Sequence, residues 1–392
     1  MTTRSWSGFL RHALRHPYAW LPRTPSGIIN SARDWVAERQ RETPVDIRRG
    51  PPAQVWDIDP PGLHSLPARR SVGDESVPRG LGIFPTRGTA LYFIKGARVL
   101  GREGTVISPD NRVFAEFTYV DAPGGIERHS VFHRRRVPKA VPLAGWYATL
   151  CYPSASAYAH WLVESLPRLK LLEPHLHALD GLFVPSELPP TMHQSLLAFG
   201  VREDQIVPLS MASHFAPEHL LVPAYCAGLD VPAWAVDWLR THVDVQAAAP
   251  HRRLYVSRAK VSRRRALNED ALLPVLQRWG FQVVHPQEFA FREQVRLFAE
   301  ASVVAGPSGS GMFNALFCPR GGALIEIPPH PSIGAHYYYS IAAAAGLDFW
   351  VVPGSEPVEA RAQLWENADF RADPQALDRT LQRVLSPQDA HD

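Results

Sequence analysis

Three ionisable side chains, His160, Glu164 and Arg168, recur every fourth residue in the segment Tyr158-Ala-His160-Trp161-Leu-Val-Glu164-Ser-Leu-Pro167-Arg168-Leu169. On an α-helix that spacing puts all three on one face. A histidine and a carboxylate one turn apart can position a proton acceptor, and an arginine beside them can hold an anion. An ordinary solvated helix face is the competing reading of the same spacing. Trp161, next to the stripe, is either core or a flat platform for a sugar ring. Pro167 removes one backbone hydrogen bond and should bend the helix there.

A second chemical segment runs Val303-Val-Ala-Gly306-Pro-Ser308-Gly309-Ser310-Gly311-Met-Phe-Asn314-Ala-Leu-Phe317. It reads as a strand, a glycine-rich turn and a helix start. Glycines there let backbone approach a ligand, and the helix start offers free N–H groups to a phosphate. A plain tight turn is the alternative. The spacing is not G-x-G-x-x-G and follows the third strand of its unit, so a dinucleotide fingerprint fits poorly. Glu326 ends the next strand and should face the same crevice, where it could bind a ribose or sugar hydroxyl.

The third segment is Arg252-Arg253-Leu-Tyr255-Val-Ser257-Arg258-Ala-Lys260-Val-Ser262-Arg263-Arg264-Arg265, followed by Asn268-Glu269. A strand opens at its carboxyl end into a basic loop. A loop so placed suits a diphosphate, because arginine makes two parallel contacts to phosphate. A solvated face or a nucleic-acid contact is the competing reading. Asp57-Ile-Asp59 has the look of a cation-binding pair but lies in a Pro-rich stretch outside any clear α/β unit, so no metal role is assigned.

These segments need a scaffold. The chain has 392 residues, beyond the single-core limit of roughly 250–300, so two domains are expected. A net charge of +3 is too small to argue for nucleic acid. Residues 1–50 hold nine Arg and four acidic residues, 9 − 4 = +5, and Trp6–Trp20 mixes aromatic and basic side chains. That stretch could lie on an anionic membrane surface or be a tail. Cys151, Cys226 and Cys318 are far apart and odd in number, which fits neither a disulfide framework nor a zinc site. With no run long enough to span a membrane and no signal peptide core, the expected location is the cytoplasm.

Residues 43–90, rich in Pro and Gly, read as a connecting segment. Short strands follow near Ala90–Ile94 and Arg112–Val120, then Trp146–Tyr152 leading into the His160 helix. Gln246–His251 reads as a linker. From Arg252, strands and helices alternate strictly, which implies a parallel sheet covered on both faces. Ligands in such sheets sit at the carboxyl ends of strands. Pro374–Leu385 reads as a final helix that could pack back across the lobes.

In this order the segments resemble the glycosyltransferase family 61 type, also described as capsular polysaccharide biosynthesis proteins. Tyr158, His160, Trp161, Glu164, Leu166, Pro167, Arg168 and Leu169 match its first motif. Tyr255, Ser257, Arg258, Arg263, Arg264, Asn268 and Glu269 match its second. Gly280, Phe281, Glu293, Gln294, Phe298, Ala301, Gly306, Gly309, Gly311, Asn314, Phe317 and Glu326 match the third. The likeness covers about residues 145–353. Ser308 stands where the family usually has His, and Ser310 where it has Ala.

The resemblance implies a GT-B-like α/β fold: two Rossmann-like lobes with parallel sheets and an interdomain cleft. The chain would divide into a basic, Pro-rich extension (1–90) that has no counterpart in the family, an acceptor-side domain (91–245), a nucleotide-sugar-binding domain (252–365) and a C-terminal helix and tail (373–392). It implies inverting, metal-independent transfer of a sugar from a nucleotide-sugar donor to a hydroxyl of a growing cell-surface polysaccharide or glycolipid, with no cofactor. Glu164 is then the expected base with His160 orienting it, the reverse assignment being open. Arg258, Lys260, Arg263, Arg264, Ser308, Gly309, Ser310 and Gly311 would bind the donor phosphates. Asn314 and Glu326 would position the donor, and Arg168 and Trp161 the acceptor. The rivals are a pyruvyltransferase-like enzyme, a nicotinamide-dependent oxidoreductase and a non-catalytic, membrane-associated assembly factor.

Overall fold

A computed structural model describes residues 24–42, 53–59, 62–65, 70–71, 83–86, 88–118, 125–134, 136–224, 231–243, 249–329, 335–355 and 368–386. The Trp6–Trp20 stretch, Cys226 and half of the expected linker, residues 246–248, lie outside these. The fold is α/β, with one mixed and one parallel sheet. Among the described residues no helix is long and apolar enough to cross a membrane.

The mixed sheet has a parallel heart, in the order Ile206–Leu209, Gly181–Pro185, Val141–Thr149 and His214–Ala224. Its last strand then pairs antiparallel with Thr89–Lys95 and Arg98–Leu100. The first sheet is therefore not the all-parallel one that was expected. Arg98–Leu100 turns through Gly101 and Gly104, at φ of 71° and 68°, straight into Thr105–Ile107. A link that short can only make a hairpin, whereas parallel strands need a crossover.

In the second sheet, Gln282–Val284, Arg252–Val256, Ala301–Pro307, Ala323–Ile327, Asp348–Val351 and Arg70–Ser71 all run parallel. Strand order reverses between Arg252–Val256 and Ala301–Pro307. Ligands of open α/β sheets sit at such a reversal, and here Ser257-Arg258 and Ser308-Gly309 begin at these carboxyl ends.

The Pro-rich segment is less separate than its composition suggests. Ala53–Asp59 pairs with Thr89–Lys95, and Arg70–Ser71 extends the parallel sheet. Gly27–Ile29 adds to Arg112–Phe114. Asp57 is ion-paired with Arg33.

One buried cluster connects the facing sides of the two sheets. It takes Ala148, Leu150 and Leu221 from the first, Trp161, Leu166, Phe291 and Phe317 from the helical layer, and Val256 and Val304 from the second. Helix Ala233–His242 reinforces it: Arg240 donates to the carbonyls of Leu316 (2.6 Å), Ala345 (3.1 Å) and Cys318. The outer face of the parallel sheet is covered by Glu269–Arg278 and Pro374–Leu385. The last helix does not cross between lobes. Its Asp378 accepts from Trp279 Nε1 at 2.6 Å, within its own half.

Candidate active site

The segment carrying His160 is not one α-helix. Tyr158–His160 is a single turn, Trp161–Ser165 is a π-helical turn, and Arg168–Leu172 resumes the α-helix. Leu166 N–H reaches back five residues to Trp161 O at 2.8 Å. Pro167 has no N–H to continue the ladder, so the widened turn ends there. Single π-turns of this kind are common where a side chain must be re-aimed at a site.

The turn brings two of the three expected residues together. His160 Nδ1 lies 3.0 Å from Glu164 Oε2. The imidazole side chain is 31% exposed and the carboxylate 3%. The Glu164 bond outweighs burial and raises the His160 pKa above its ordinary value. His160 also meets the edge of Tyr337, with ring centroids 6.0 Å apart, from the helix Ala335–Ala345 of the second half. Glu164 is thus the buried partner and His160 the member that reaches outward.

Arg168 does not extend this stripe. The extra residue of the π-turn and the break at Pro167 turn it inward. Its guanidinium lies 5.0 Å from the centre of the Tyr152 ring, and Nη1 reaches the Cys151 carbonyl at 3.5 Å. It lines a cavity of about 20 Å³ with Glu116 and Phe117, room for about one water, which is too little for a sugar or phosphate. Trp161 is fully buried and donates Nε1–H to Ser195 Oγ at 2.9 Å. It is core, with no ring face left for an acceptor.

At the switch point of the parallel sheet, Arg258 lies across the glycine turn. A Cβ on Gly309 would fall 2.0 Å from Arg258 Nη1. The same guanidinium donates to the carbonyls of Arg263 (2.8 Å) and Arg264 (3.1 Å), folding the basic loop over itself. Burial, then the neighbouring Arg264, pull the Arg258 pKa down to about 10. This is a cation crowded by cations, the setting in which an anion is most stabilising. Arg264 takes a left-handed backbone, φ 54°, and its Nε is buried without a partner among the described residues. Arg263 and Lys260 are exposed, Lys260 beside Glu288. Arg265 turns away, its Nη2 2.6 Å from Asp369.

Ser308 and Glu326 are both completely buried, and Ser308 Oγ donates to Glu326 Oε1 at 2.6 Å. Glu326 therefore supports the turn from below instead of standing open in the crevice. Asn314 is buried as well. Its Oδ1 accepts from Tyr158 O–H at 2.7 Å, and its Nδ2 donates to Gln294 Oε1 at 2.8 Å. Asn314 joins the two halves one turn before His160. Ser310 and Gly311 remain partly exposed at the start of the 3₁₀ helix Ser310–Phe317. Residues 310–311, Arg258 and Arg264 are thus the part of this turn left partly open to solvent.

Tyr158, Tyr337 and Tyr338 were not picked out as site residues by the spacing of charges. Tyr338 is buried beside Glu326, Arg264 and Arg258, with the Gly309 backbone near its hydroxyl. The run Tyr337-Tyr338-Tyr339 opening a helix was the available signal. Glu269 also proves structural, accepting from Ser257 (2.7 Å) and Tyr255 (3.2 Å) to hold the strand end.

Comparison with known proteins matches residues 158–325 to the family model described as Glycosyltransferase 61. Over these residues the chain is similar to a glycosyltransferase 61 domain. The matched segment runs from Tyr158, at the π-turn, to Ile325, inside the strand that carries Glu326. It therefore takes in both His160–Glu164 and the arginine–glycine crevice. The chain is 34% identical over 96 residues to protein O-linked-mannose beta-1,4-N-acetylglucosaminyltransferase 2 of Bos taurus, covering 23% of this chain and 16% of that protein. It is 33% identical over 114 residues to the Canis lupus familiaris protein of the same name, covering 27% and 20%. The chain thus spans a fifth or less of the length of these curated relatives.

Proposed function

We propose that this chain is an inverting glycosyltransferase that moves a sugar from a nucleotide-sugar donor to a glycan hydroxyl. The observation that carries the reading is the 3.0 Å contact between a partly exposed His160 and a buried Glu164, in a chain whose second half presents crowded arginines at a strand switch point. The two sheets and their shared layer support a GT-B-like plan.

In this reading His160 is the base and Glu164 holds its Nδ1–H, leaving Nε2 for the acceptor. That reverses the first sequence assignment, because a carboxylate this buried reaches an acceptor less readily than the imidazole above it. Nε2 takes the hydroxyl proton as the acceptor oxygen bonds to the anomeric carbon. The bond from that carbon to the donor phosphate breaks, and its electron pair leaves with the diphosphate. Arg258, Arg264 and the free N–H groups at residues 310–311 meet the developing charge. No metal ion is needed to balance this step. A cell-surface polysaccharide or glycolipid is the acceptor class we propose, and nucleotide-linked N-acetylglucosamine belongs among the first donors to try.

The test is thermal stabilisation by UDP, GDP, CMP, ADP and dTDP, with NAD and phosphoenolpyruvate alongside. A ligand at 100 times its dissociation constant adds about 2.7 kcal/mol of apparent stability. One nucleoside phosphate should respond, and Arg258→Met should remove the response. A response to phosphoenolpyruvate or NAD alone would sink the reading in favour of the matching rival.

A further inference from the structure

Trp146 is 39% exposed on the strand Val141–Thr149, at the point where the strand passes from the exposed Ala144 to the buried run Tyr147–Thr149. Its exposure is built in. The strand slips register against its parallel partner between Leu143 and Trp146. Gly145 within that bulge takes φ +100°. A Cβ there would fall 2.1 Å from Asp180 Oδ2, so the site requires glycine and holds the carboxylate against it. Asp180 Oδ2 accepts the Trp146 N–H at 2.8 Å, and Glu218 Oε2 accepts the Gly145 N–H at 3.4 Å. Bulges re-aim side chains, and this one turns an indole outward.

The ring is also backed. Phe93 stacks with it at 5.1 Å and 30°, and His219 lies 4.5 Å away at 35°. His219 Nε2 is 3.6 Å from Glu218 Oε1. Lys95, in register with His219 on the adjoining strand, is the nearest lysine by pairing. The result is a rigid aromatic face flanked by two carboxylates that backbone N–H groups already fix. All of it lies on the amino-terminal side of the strand end that leads to His160.

We propose that Trp146, Asp180 and Glu218 form a second carbohydrate-binding platform, separate from the His160–Glu164 site, for a neutral pyranose of an oligosaccharide. The C–H face of such a ring is apolar and stacks on indole, while its hydroxyls donate to carboxylate oxygens. Two carboxylates disfavour a uronate or phosphate. Because the platform is fixed beforehand, binding orders few side chains. The platform would hold a glycan chain without acting on it.

The test reads binding without turnover, so it stands or falls apart from the transfer reading. Full-length protein is titrated with cellotetraose, the β-1,4-linked tetramer of N-acetylglucosamine, maltotetraose and tetragalacturonate. The Trp146 indole N–H resonance, assigned by its loss in Trp146→Phe, is followed by NMR, with affinity from calorimetry. A neutral tetramer should shift that resonance. Trp146→Ala should weaken binding about tenfold and Trp146→Phe less than threefold, a difference of about 0.7–1.4 kcal/mol between the two. The nucleotide response should be unchanged in both. If Trp146→Ala misfolds, the resonance shift and Trp146→Phe still decide. Absence of binding by all neutral tetramers, equal binding by wild type and Trp146→Ala, or preference for tetragalacturonate would each overturn the proposal.

Discussion

The guanidinium of Arg258 occupies the space that a side chain at residue 309 would fill, with Nη1 2.0 Å from the position of a Cβ on Gly309. The turn needs glycine there for room, since its φ of −170° is open to any residue.

That contact separates two glycines that look alike in sequence. Gly309→Ala pushes only the end of a flexible arginine, so the fold should survive. Nucleoside diphosphate affinity should fall about tenfold, the scale of one charge-assisted hydrogen bond. Gly306→Ala instead meets the Val256 carbonyl at 2.7 Å and should destabilise the protein by about 1–3 kcal/mol. Titration calorimetry and urea melts on both variants distinguish the two effects.

The His160–Glu164 pair predicts a pH signature. A base must be deprotonated, so turnover should rise with pH through a pKa above the ordinary 6.5 of histidine. Glu164→Gln removes the cause of the shift. The rising limb should then move to lower pH while the plateau falls roughly 10²-fold or more. For stability the sign is opposite: the pair's contribution is full below the unfolded histidine pKa and lost as pH rises through the folded one. Melts of His160→Gln against wild type should differ more at pH 5 than at pH 9.

Ser308→Ala leaves the buried Glu326 without its 2.6 Å donor. The expected loss is about 1–3 kcal/mol of unfolding free energy, measured by chemical denaturation. Ser308→Thr keeps the hydroxyl and should recover part of it. An unchanged midpoint for Ser308→Ala would mean that another group satisfies that oxygen.

Tyr158→Phe breaks the 2.7 Å bond to Asn314 while preserving the ring. The stranded amide oxygen should cost about 1–3 kcal/mol. Turnover should fall more than nucleotide affinity does, because the bond joins the His160 turn to the second half. Equal losses in both would assign Tyr158 to stability alone.

The α/β class and the regular second half were legible because β and α periodicity alternate there without interruption. His160 and Glu164 were legible because spacing of four survives a π-turn. Arg168 was not, since one inserted residue and Pro167 rotate everything beyond them, and neither leaves a mark in the charge pattern. Trp161 and Asn314 were misassigned for a related reason. Their motif positions announce importance, but only packing tells whether a side chain faces a ligand or its neighbours. Ala53–Asp59 was missed because Pro and Gly on both sides masked its alternation. Trp146 passed for an ordinary strand residue, because a bulge is set by the partner strand and Asp180.

The continuous buried cluster between the sheets has a consequence for modularity. Leu150, Trp161, Phe317 and Val304 belong to one packed unit, and Arg240 caps carbonyls far along the chain. Neither half can shed the other without exposing a face of apolar side chains. The two sheets should melt as one cooperative block, and an exchange of second halves between relatives would have to carry the intervening helices with it.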